Sequence, residues 1–297
     1  MSISEKLTQL AQIKEDIKQA IIDKGQEATD DMTQYSTLIG NISGGGGSDE
    51  DFVAVVSGTA VSPTIPSGTT AIKDYCFYTD TKIINPVLPA GITSIGEYAF
   101  YNCTNLALTS LPNSINSIGK YTFSGCTNLA LTSLPSSITT IGQSAFQDCK
   151  KLALTSLPSS ITLIDKGAFS GCTKLELTSL PSSITTIGVN TFQNCTNLAL
   201  TSLPSGLTSM ENNSFYNCKK LALTSLPSGL TFIGNNVFYN CTGLTEITFK
   251  RKPTTFISNA FSGCTNLTSI KVPWSQGEVS GAPWGATNAT ITYDYTE

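Results

Sequence analysis

Residues 115–135 have the sequence INSIGKYTFSGCTNLALTSLP, and units of this kind recur along most of the chain. The phenylalanines of successive units are 23 residues apart: Phe77, Phe100, Phe123, Phe146, Phe169, Phe192, Phe215, Phe238 and Phe261. Cysteines keep the same interval three residues later: Cys103, Cys126, Cys149, Cys172, Cys195, Cys218, Cys241 and Cys264. A fixed period of about 20 to 29 residues is the sequence signature of a leucine-rich solenoid, in which a unit buries its apolar side only against its neighbours.

The repeat predicts a β-rich leucine-rich-repeat solenoid of nine 23-residue coils with parallel strands. We expect the strand along the Leu-x-Leu-Thr-Ser-Leu segment, and the proline that follows should end it because proline lacks an amide donor. The eight cysteines that share one register are predicted to form a single column of free, buried thiols. The first unit departs from the pattern: Asp80 takes the cysteine position, and Cys76 lies outside the column.

Changes in composition divide the chain into four segments. Residues 1–42 are predicted to be a helical segment for anchoring and oligomerisation, and residues 43–50 a glycine-rich linker. Residues 51–271 form the predicted solenoid with its N-terminal cap. Residues 272–297 form a C-terminal cap in which both tryptophans are expected to cover the last coil. The candidate anchor residues have helical spacing: Ile3, Leu7, Leu10, Ile17 and Ile21.

The pattern IGxxxFxxCxxL followed by Leu-Pro resembles the BspA-type leucine-rich repeat, a family common in bacterial surface adhesins and in virion proteins of bacteriophages. That family usually has an isoleucine six residues after the cysteine, as Ile247 and Ile270 are here. Six inner units instead contain LALTSLP or LELTSLP, which leaves their strand register open. Residues 1–42 resemble an N-terminal module of phage tail and baseplate proteins. The string APWGATNATITY, residues 282–293, resembles the usual terminus of phage-borne repeats.

Composition excludes several classes of partner. The net charge of −4 and the pI near 5.0 provide no basic surface for nucleic acid. No apolar run approaches the ~18 residues of a membrane span, so membrane insertion is not expected. Residues 1–20 lack the apolar segment of a secretory signal, which favours assembly in a host cytoplasm.

The sequence contains no constellation typical of catalysis or of a bound cofactor. Histidine is absent, and the acidic residues Asp148, Asp165, Glu176 and Glu211 fall in different coils at different phases. No general acid and base can therefore be paired, and the chain is predicted not to be an enzyme. Cysteines 23 residues apart do not form a chelating motif, so neither a metal nor another cofactor is expected.

Two short windows vary among otherwise similar units, one after the glycine and one around the cysteine, which indicates relaxed selection by the fold there. Tyrosine and asparagine on a rigid surface are suited to stacking on sugar rings and to bonding hydroxyls. The candidate ligand surface consists of Tyr98, Tyr101, Tyr121, Lys150, Lys151, Tyr216, Lys219, Lys220 and Tyr239. Two alternatives stay open: an ordinary solvated surface, or a ligand on the Ser/Thr array of the strand segments.

Together these features predict a non-enzymatic bacteriophage virion fibre or appendage protein. Its N-terminal helices would bind virion structural proteins in a homo-oligomer, and its solenoid would adhere to a host-surface glycan or protein. The main alternative is a bacterial cell-surface adhesin of the same repeat family, which would need a signal peptide and an anchor. A purely structural decoration of capsid or tail is a third class.

Overall fold

The computed structural model describes residues 62, 65, 67–256 and 259–296. These belong to the second of two units into which the chain divides, Gly46–Glu297. The predicted helical anchor with Ile3, Leu7, Leu10, Ile17 and Ile21, and the glycine-rich linker, lie outside the described residues. Among the residues described, no helix is long and apolar enough to cross a membrane.

Thirteen short strands occur in the described part of the chain, and their pairings are parallel. In chain order they are β1 Ala71–Ile72, β2 Ser94–Ile95, β3 Ser117–Ile118, β4 Thr140–Ile141, β5 Leu163–Ile164, β6 Thr186–Ile187, β7 Ser209–Met210, β8 Ser225–Leu226, β9 Phe232–Ile233, β10 Glu246–Phe249, β11 Thr255–Phe256, β12 Ser269–Lys271 and β13 Thr290–Thr292.

Most strands lie at one position of the coil and begin two residues after its first isoleucine or leucine. Strands β1 to β5 form a five-stranded sheet, and β6, β7, β9 and β11 form a four-stranded sheet at the same position of the following coils. Ile95 pairs with Ile118, its counterpart in the next coil. This register confirms the parallel-strand solenoid with a repeat of about 23 residues, and it continues for about ten turns.

The predicted strand position is wrong for the inner coils. In most of them the LALTSLP segment contains no strand, and strands appear there only towards the C-terminus, as β8, β10, β12 and β13. The spacing of the buried leucines explains the difference. Leu131 and Leu134 are both buried although they are three residues apart, so the chain must bend between them. Ile247 and Phe249 are two residues apart, and β10 keeps both inside while staying extended.

The core consists of columns of equivalent side chains, one from each coil. Phenylalanine rings from Phe77 to Phe261 stack with successive centroids 5.0–5.8 Å apart and planes within 15° of parallel. Each buried large apolar side chain contributes about 1.5–3 kcal/mol, and most of its contacts are with the coils before and after it. Isolated units therefore lack most of this stabilisation.

The eight register cysteines form the predicted single column, and all are free and buried. The thiol of Cys126 donates a hydrogen bond to the carbonyl oxygen of Phe100 in the preceding coil, with Sγ and O 2.9 Å apart. Burial raises the pKa of the thiols from Cys126 to Cys264, and it raises that of Cys264 to about 12. Cys76 lies outside the column, as predicted, and is half-buried.

The two tryptophans cover the last coil, as the sequence predicts. Trp284 follows Phe261 at the 23-residue interval and is fully buried. Its ring centroid lies 4.8 Å from that of Phe256, and Trp274 contacts Phe249 edge to face at 5.2 Å. Strand β13 pairs with β12 and extends the C-terminal sheet by one strand.

Candidate functional site

The predicted ligand residues lie on the side of the coil that carries consecutive turns around each phenylalanine. Alternate amides on this side donate to the next coil: those of Tyr98, Phe100 and Asn102 donate to carbonyl oxygens 22 residues later, at 2.7–2.9 Å. Amides between them bond within their own coil, as in the bond from Tyr101 to the carbonyl of Tyr98. The turn side is therefore a surface with a regular backbone hydrogen-bond pattern, whose side-chain positions repeat from coil to coil.

Two positions on the turn side require left-handed backbone. Two residues before the phenylalanine, φ is 50–66° at Tyr75, Tyr98, Tyr121, Ser144, Gly167, Asn190, Asn213 and Asn236. Two residues after it, φ is 54–77° at Thr79, Asn102, Gly125, Asp148, Gly171, Asn194, Asn217, Asn240 and Gly263. Glycine and asparagine are the residues that adopt this conformation most readily.

The sequence variation in the window after the glycine predicted that the fold exerts little selection there. The left-handed φ angle of its second residue shows that this prediction is wrong. Asparagines there also bond one another: the amide of Asn213 donates to the side-chain oxygen of Asn190 at 3.1 Å. The second residue of the window is thus restricted by its φ angle, and bulky side chains at this angle are uncommon.

Tyrosine nevertheless occupies the left-handed position in three successive coils. The rings of Tyr75, Tyr98 and Tyr121 stack with centroids 5.0 and 4.8 Å apart. A second stack beside them consists of Tyr78 and Tyr101, at 5.2 Å. We call these five residues the tyrosine cluster. Rings of the two stacks meet at tilted or edge-to-face angles, with centroids 5.5–6.5 Å apart.

The cluster brings together three predicted candidates and adds two that the sequence argument missed. Tyr75 and Tyr78 have the same offsets from Phe77 as Tyr98 and Tyr101 have from Phe100. The sequence alone could have identified these two tyrosines by their offsets from Phe77. They were missed because Asp80 replaces the cysteine of the first unit, which made that unit look degenerate. Both added tyrosines are exposed, at 37% and 42% of their surface.

The remaining candidates lie elsewhere on the turn side. Tyr216 and Tyr239 form a second stacked pair, with centroids 4.7 Å apart. The lysines Lys150, Lys151, Lys219 and Lys220 are exposed and follow the cysteines of two coils that are three repeats apart. They occupy different positions of the coil from the tyrosines, so the nine candidates do not form one site.

The ring geometry determines what the tyrosine cluster offers to a ligand. Tyr98 has a ring on each face, so sugars cannot stack on it, contrary to the expectation for that residue. The cluster presents ring edges and phenol groups, and the hydroxyl of Tyr121 accepts a hydrogen bond from the amide of Gln143 at 2.8 Å. Partial burial, with repulsion from the neighbouring phenols, raises the pKa of Tyr98. Its phenol is thus a neutral hydrogen-bonding group at physiological pH.

The position immediately after the phenylalanine carries an uncharged hydrogen-bonding side chain in every coil. We call this column the polar track: Tyr78, Tyr101, Ser124, Gln147, Ser170, Gln193, Tyr216, Tyr239 and Ser262. Most of its members are half-buried. Tyrosine pairs thus stand near both ends of the track, with serine and glutamine alternating between them.

The described residues offer little reactive chemistry. The column thiols are buried, and the pKa of Cys149 is raised well above its ordinary value because burial disfavours the thiolate. Such thiols are poor nucleophiles and poor metal ligands. Within residues 67–256 and 259–296, no group of three or more cysteine or acidic side chains is placed to hold a metal ion. The chemistry available on the turn side is recognition through aromatic, hydroxyl and amide groups.

Stacked 23-residue coils with buried leucine, phenylalanine and cysteine columns define a leucine-rich-repeat solenoid protein. The family described as "BspA type Leucine rich repeat region" matches residues 59–176 and 164–281. The chain therefore belongs to the BspA-type leucine-rich repeat family, which confirms the resemblance found in its sequence. No curated protein matches it.

Three solved structures illustrate its similarity to known proteins. A leucine-rich repeat protein from Bacteroides ovatus is 26% identical, with a TM-score of 0.52, and the match covers 77% of this chain and 68% of that one. A leucine rich cell surface protein from Faecalibacterium prausnitzii is 24% identical, with a TM-score of 0.51 and coverage of 71% and 66%. A leucine-rich repeat protein from T. pallidum is 30% identical, with a TM-score of 0.47 and coverage of 62% and 78%. Neither of the first two is described as a virion protein.

Proposed function

We propose that this protein is a non-enzymatic adhesin of the bacterial cell surface that binds a host-surface glycan or protein through the turn side of its solenoid. The tyrosine cluster is the principal contact. This proposal adopts the alternative of the sequence analysis, because the reported structures are of bacterial proteins and one of them is described as a cell surface protein.

The observation that carries the proposal is the placement of three tyrosines at left-handed positions. The same position is occupied by Gly167, Asn190 and Asn213 in other coils, so the fold has no need of an aromatic residue there. A bulky residue in left-handed backbone costs about 1–2 kcal/mol, and ring stacking offsets part of that cost. Strain retained at an exposed aromatic patch is typical of a binding site.

The neutral surface supports recognition by short-range contact. Charged residues make up 13% of the chain, and the ion pair beside the cluster, between Lys120 and Glu97, is solvent-exposed with a separation of 3.3 Å. Exposed pairs of this kind contribute little to stability or affinity. Tyrosine edges and hydroxyls, in contrast, combine apolar contact area with directional hydrogen bonds.

Adhesion is tested with the full chain on immobilised host-cell surfaces, extracellular proteins and glycans. The double variant Tyr98→Asn and Tyr121→Asn replaces two cluster rings with the residue that other coils use at that position. We expect at least a tenfold loss of binding, since interface tyrosines often contribute more than about 1.4 kcal/mol each. The control Val189→Asn changes another exposed residue of the turn side and should bind normally. Absence of binding to every surface would overturn the proposal.

Location requires a separate experiment, because a fold by itself does not determine where a protein works. Antibodies raised against the solenoid should label intact bacteria that express the gene. Labelling of phage particles instead would restore the virion interpretation, in which residues 1–42 attach the protein to virion structural proteins. Oligomerisation through residues 1–42 stays a prediction in either case.

A further inference from the structure

The polar track supports a more specific assignment of the ligand. We propose that it binds a linear, uncharged polysaccharide that lies along the solenoid, with about one sugar for each coil. The proposal rests on the adhesive function above and deepens it by naming the class of ligand and its direction on the surface.

Spacing is the first argument. Equivalent groups on the turn side repeat with the coil, and stacked tyrosine centroids are 4.7–5.2 Å apart. An extended β-1,4-linked pyranose chain advances by nearly this distance per sugar. Neighbouring sugars of such a chain are turned by about half a rotation relative to each other, so every second sugar can make the same contact with every second coil, which matches the alternation of serine and glutamine in the track. A ligand without this repeat would meet only one or two members of the track.

The chemistry of the track is the second argument. Serine hydroxyls and glutamine amides donate and accept hydrogen bonds, as the hydroxyls of a sugar require. None of the nine side chains carries a formal charge, which favours a neutral polymer over an anionic one. The half-buried positions of Gln147, Ser170 and Gln193 provide contact area as well as polar groups.

The tyrosines near the two ends of the track are the third argument. Tyr101 stacks on Tyr78 on one side, and the next coil has Ser124 at the same position, not an aromatic residue. Tyr216 stacks on Tyr239, and the preceding coil has Gln193 there. Tyr101 also meets the ring of Tyr121 from the next coil edge to face, with centroids 6.5 Å apart, so it offers its phenol group and ring edge beside the serine and glutamine segment. The phenol groups and ring edges of Tyr101 and Tyr216 can contact and hydrogen-bond the sugars that lie along this segment.

Binding of neutral β-1,4-linked oligosaccharides to the full chain tests the proposal, with calorimetry at physiological salt. We expect affinity to increase at least about tenfold from disaccharide to hexasaccharide, because each added sugar reaches a further coil. Affinity that does not change with length would overturn the axial arrangement. Binding confined to anionic polysaccharides would overturn the assignment of a neutral ligand.

Variants copied from other coils make the test specific to the track. The double variant Tyr101→Ser and Tyr216→Ser introduces the residue found at Ser124, and it should weaken hexasaccharide binding at least tenfold while preserving the fold. The control Lys219→Thr and Lys220→Asn copies Thr196 and Asn197, and it should leave binding unchanged. A loss confined to the lysine variant would contradict the proposal. If the chain adheres to host surfaces but binds no neutral oligosaccharide, the polysaccharide assignment fails and the adhesive function stands. If the chain adheres to no surface, the adhesive function itself fails.

Discussion

The thiol of Cys172 donates a hydrogen bond to the carbonyl oxygen of Phe146 in the preceding coil, with Sγ and O 3.0 Å apart. The same carbonyl accepts the amide of Cys149, so it is hydrogen-bonded both within its own coil and to the next one. Equivalent bonds recur at each register cysteine. Cysteine at this position is thus both a small apolar side chain and a donor that links adjacent coils.

Removal of this thiol should therefore destabilise the solenoid. For Cys172→Ala we expect the free energy of unfolding to fall by about 1–3 kcal/mol, since the change removes a buried hydrogen bond and leaves a small cavity. Chemical denaturation followed by circular dichroism measures the change. The matched control is Cys76→Ala, because Cys76 lies at the position that alanine occupies in the next coil, as Ala99. Equal losses for both variants would show that the hydrogen bond has no role.

The buried thiols also make stability depend on pH. Burial raises the pKa of Cys172 well above the ordinary value of 9.0. Below that value the thiol is protonated in both states, and the stability is fully present. Above it, the unfolded chain releases a proton that the folded chain retains, so the free energy of unfolding decreases.

The expected decrease is up to about 1.4 kcal/mol per pH unit for each such thiol above pH ~9. Denaturation curves from neutral pH to pH ~10 measure it. Cys172→Ala removes one titrating group and should give a shallower decrease than the parent chain. Stability that does not change over this range would show that the thiols ionise equally in both states.

The left-handed position of Tyr98 predicts an unusual mutational response for a stacked aromatic residue. For Tyr98→Asn we expect stability within about 1 kcal/mol of the parent, because relief of the backbone conformation offsets the lost ring stacking. Tyr98→Val loses the same stacking but places a β-branched residue at φ 55°, and it should be less stable than Tyr98→Asn by about 1–2 kcal/mol. Thermal unfolding compares the two. Equal stabilities would argue that the backbone angle has no energetic consequence.

The side-chain columns could be predicted from the sequence, whereas the backbone path between them could not. Equal intervals of 23 residues place Phe123 and Cys126 beside their counterparts whatever the local conformation. The strand position depended instead on whether Leu131 and Leu134 could share one extended face, and their odd spacing prevents it. The identity of Asn213 as a left-handed residue was also hidden, because a position restricted by its φ angle accepts several side chains and looks variable.

The C-terminal coils provide the last prediction, which concerns Trp284. This residue takes the next 23-residue position after Phe261 and is fully buried against Phe256, so truncation should open a cavity over the last coil. We expect Trp284→Ala to destabilise that end by about 3–5 kcal/mol, and Trp284→Phe, which restores the residue type of the column, to cost less than about 1.5 kcal/mol. Because coils interact mainly with their neighbours, hydrogen exchange in Trp284→Ala should accelerate in β12 and β13 and remain slow in β2 and β3. Uniform acceleration along the chain would mean that the coils unfold as one cooperative block, with stability that cannot be assigned to neighbouring pairs.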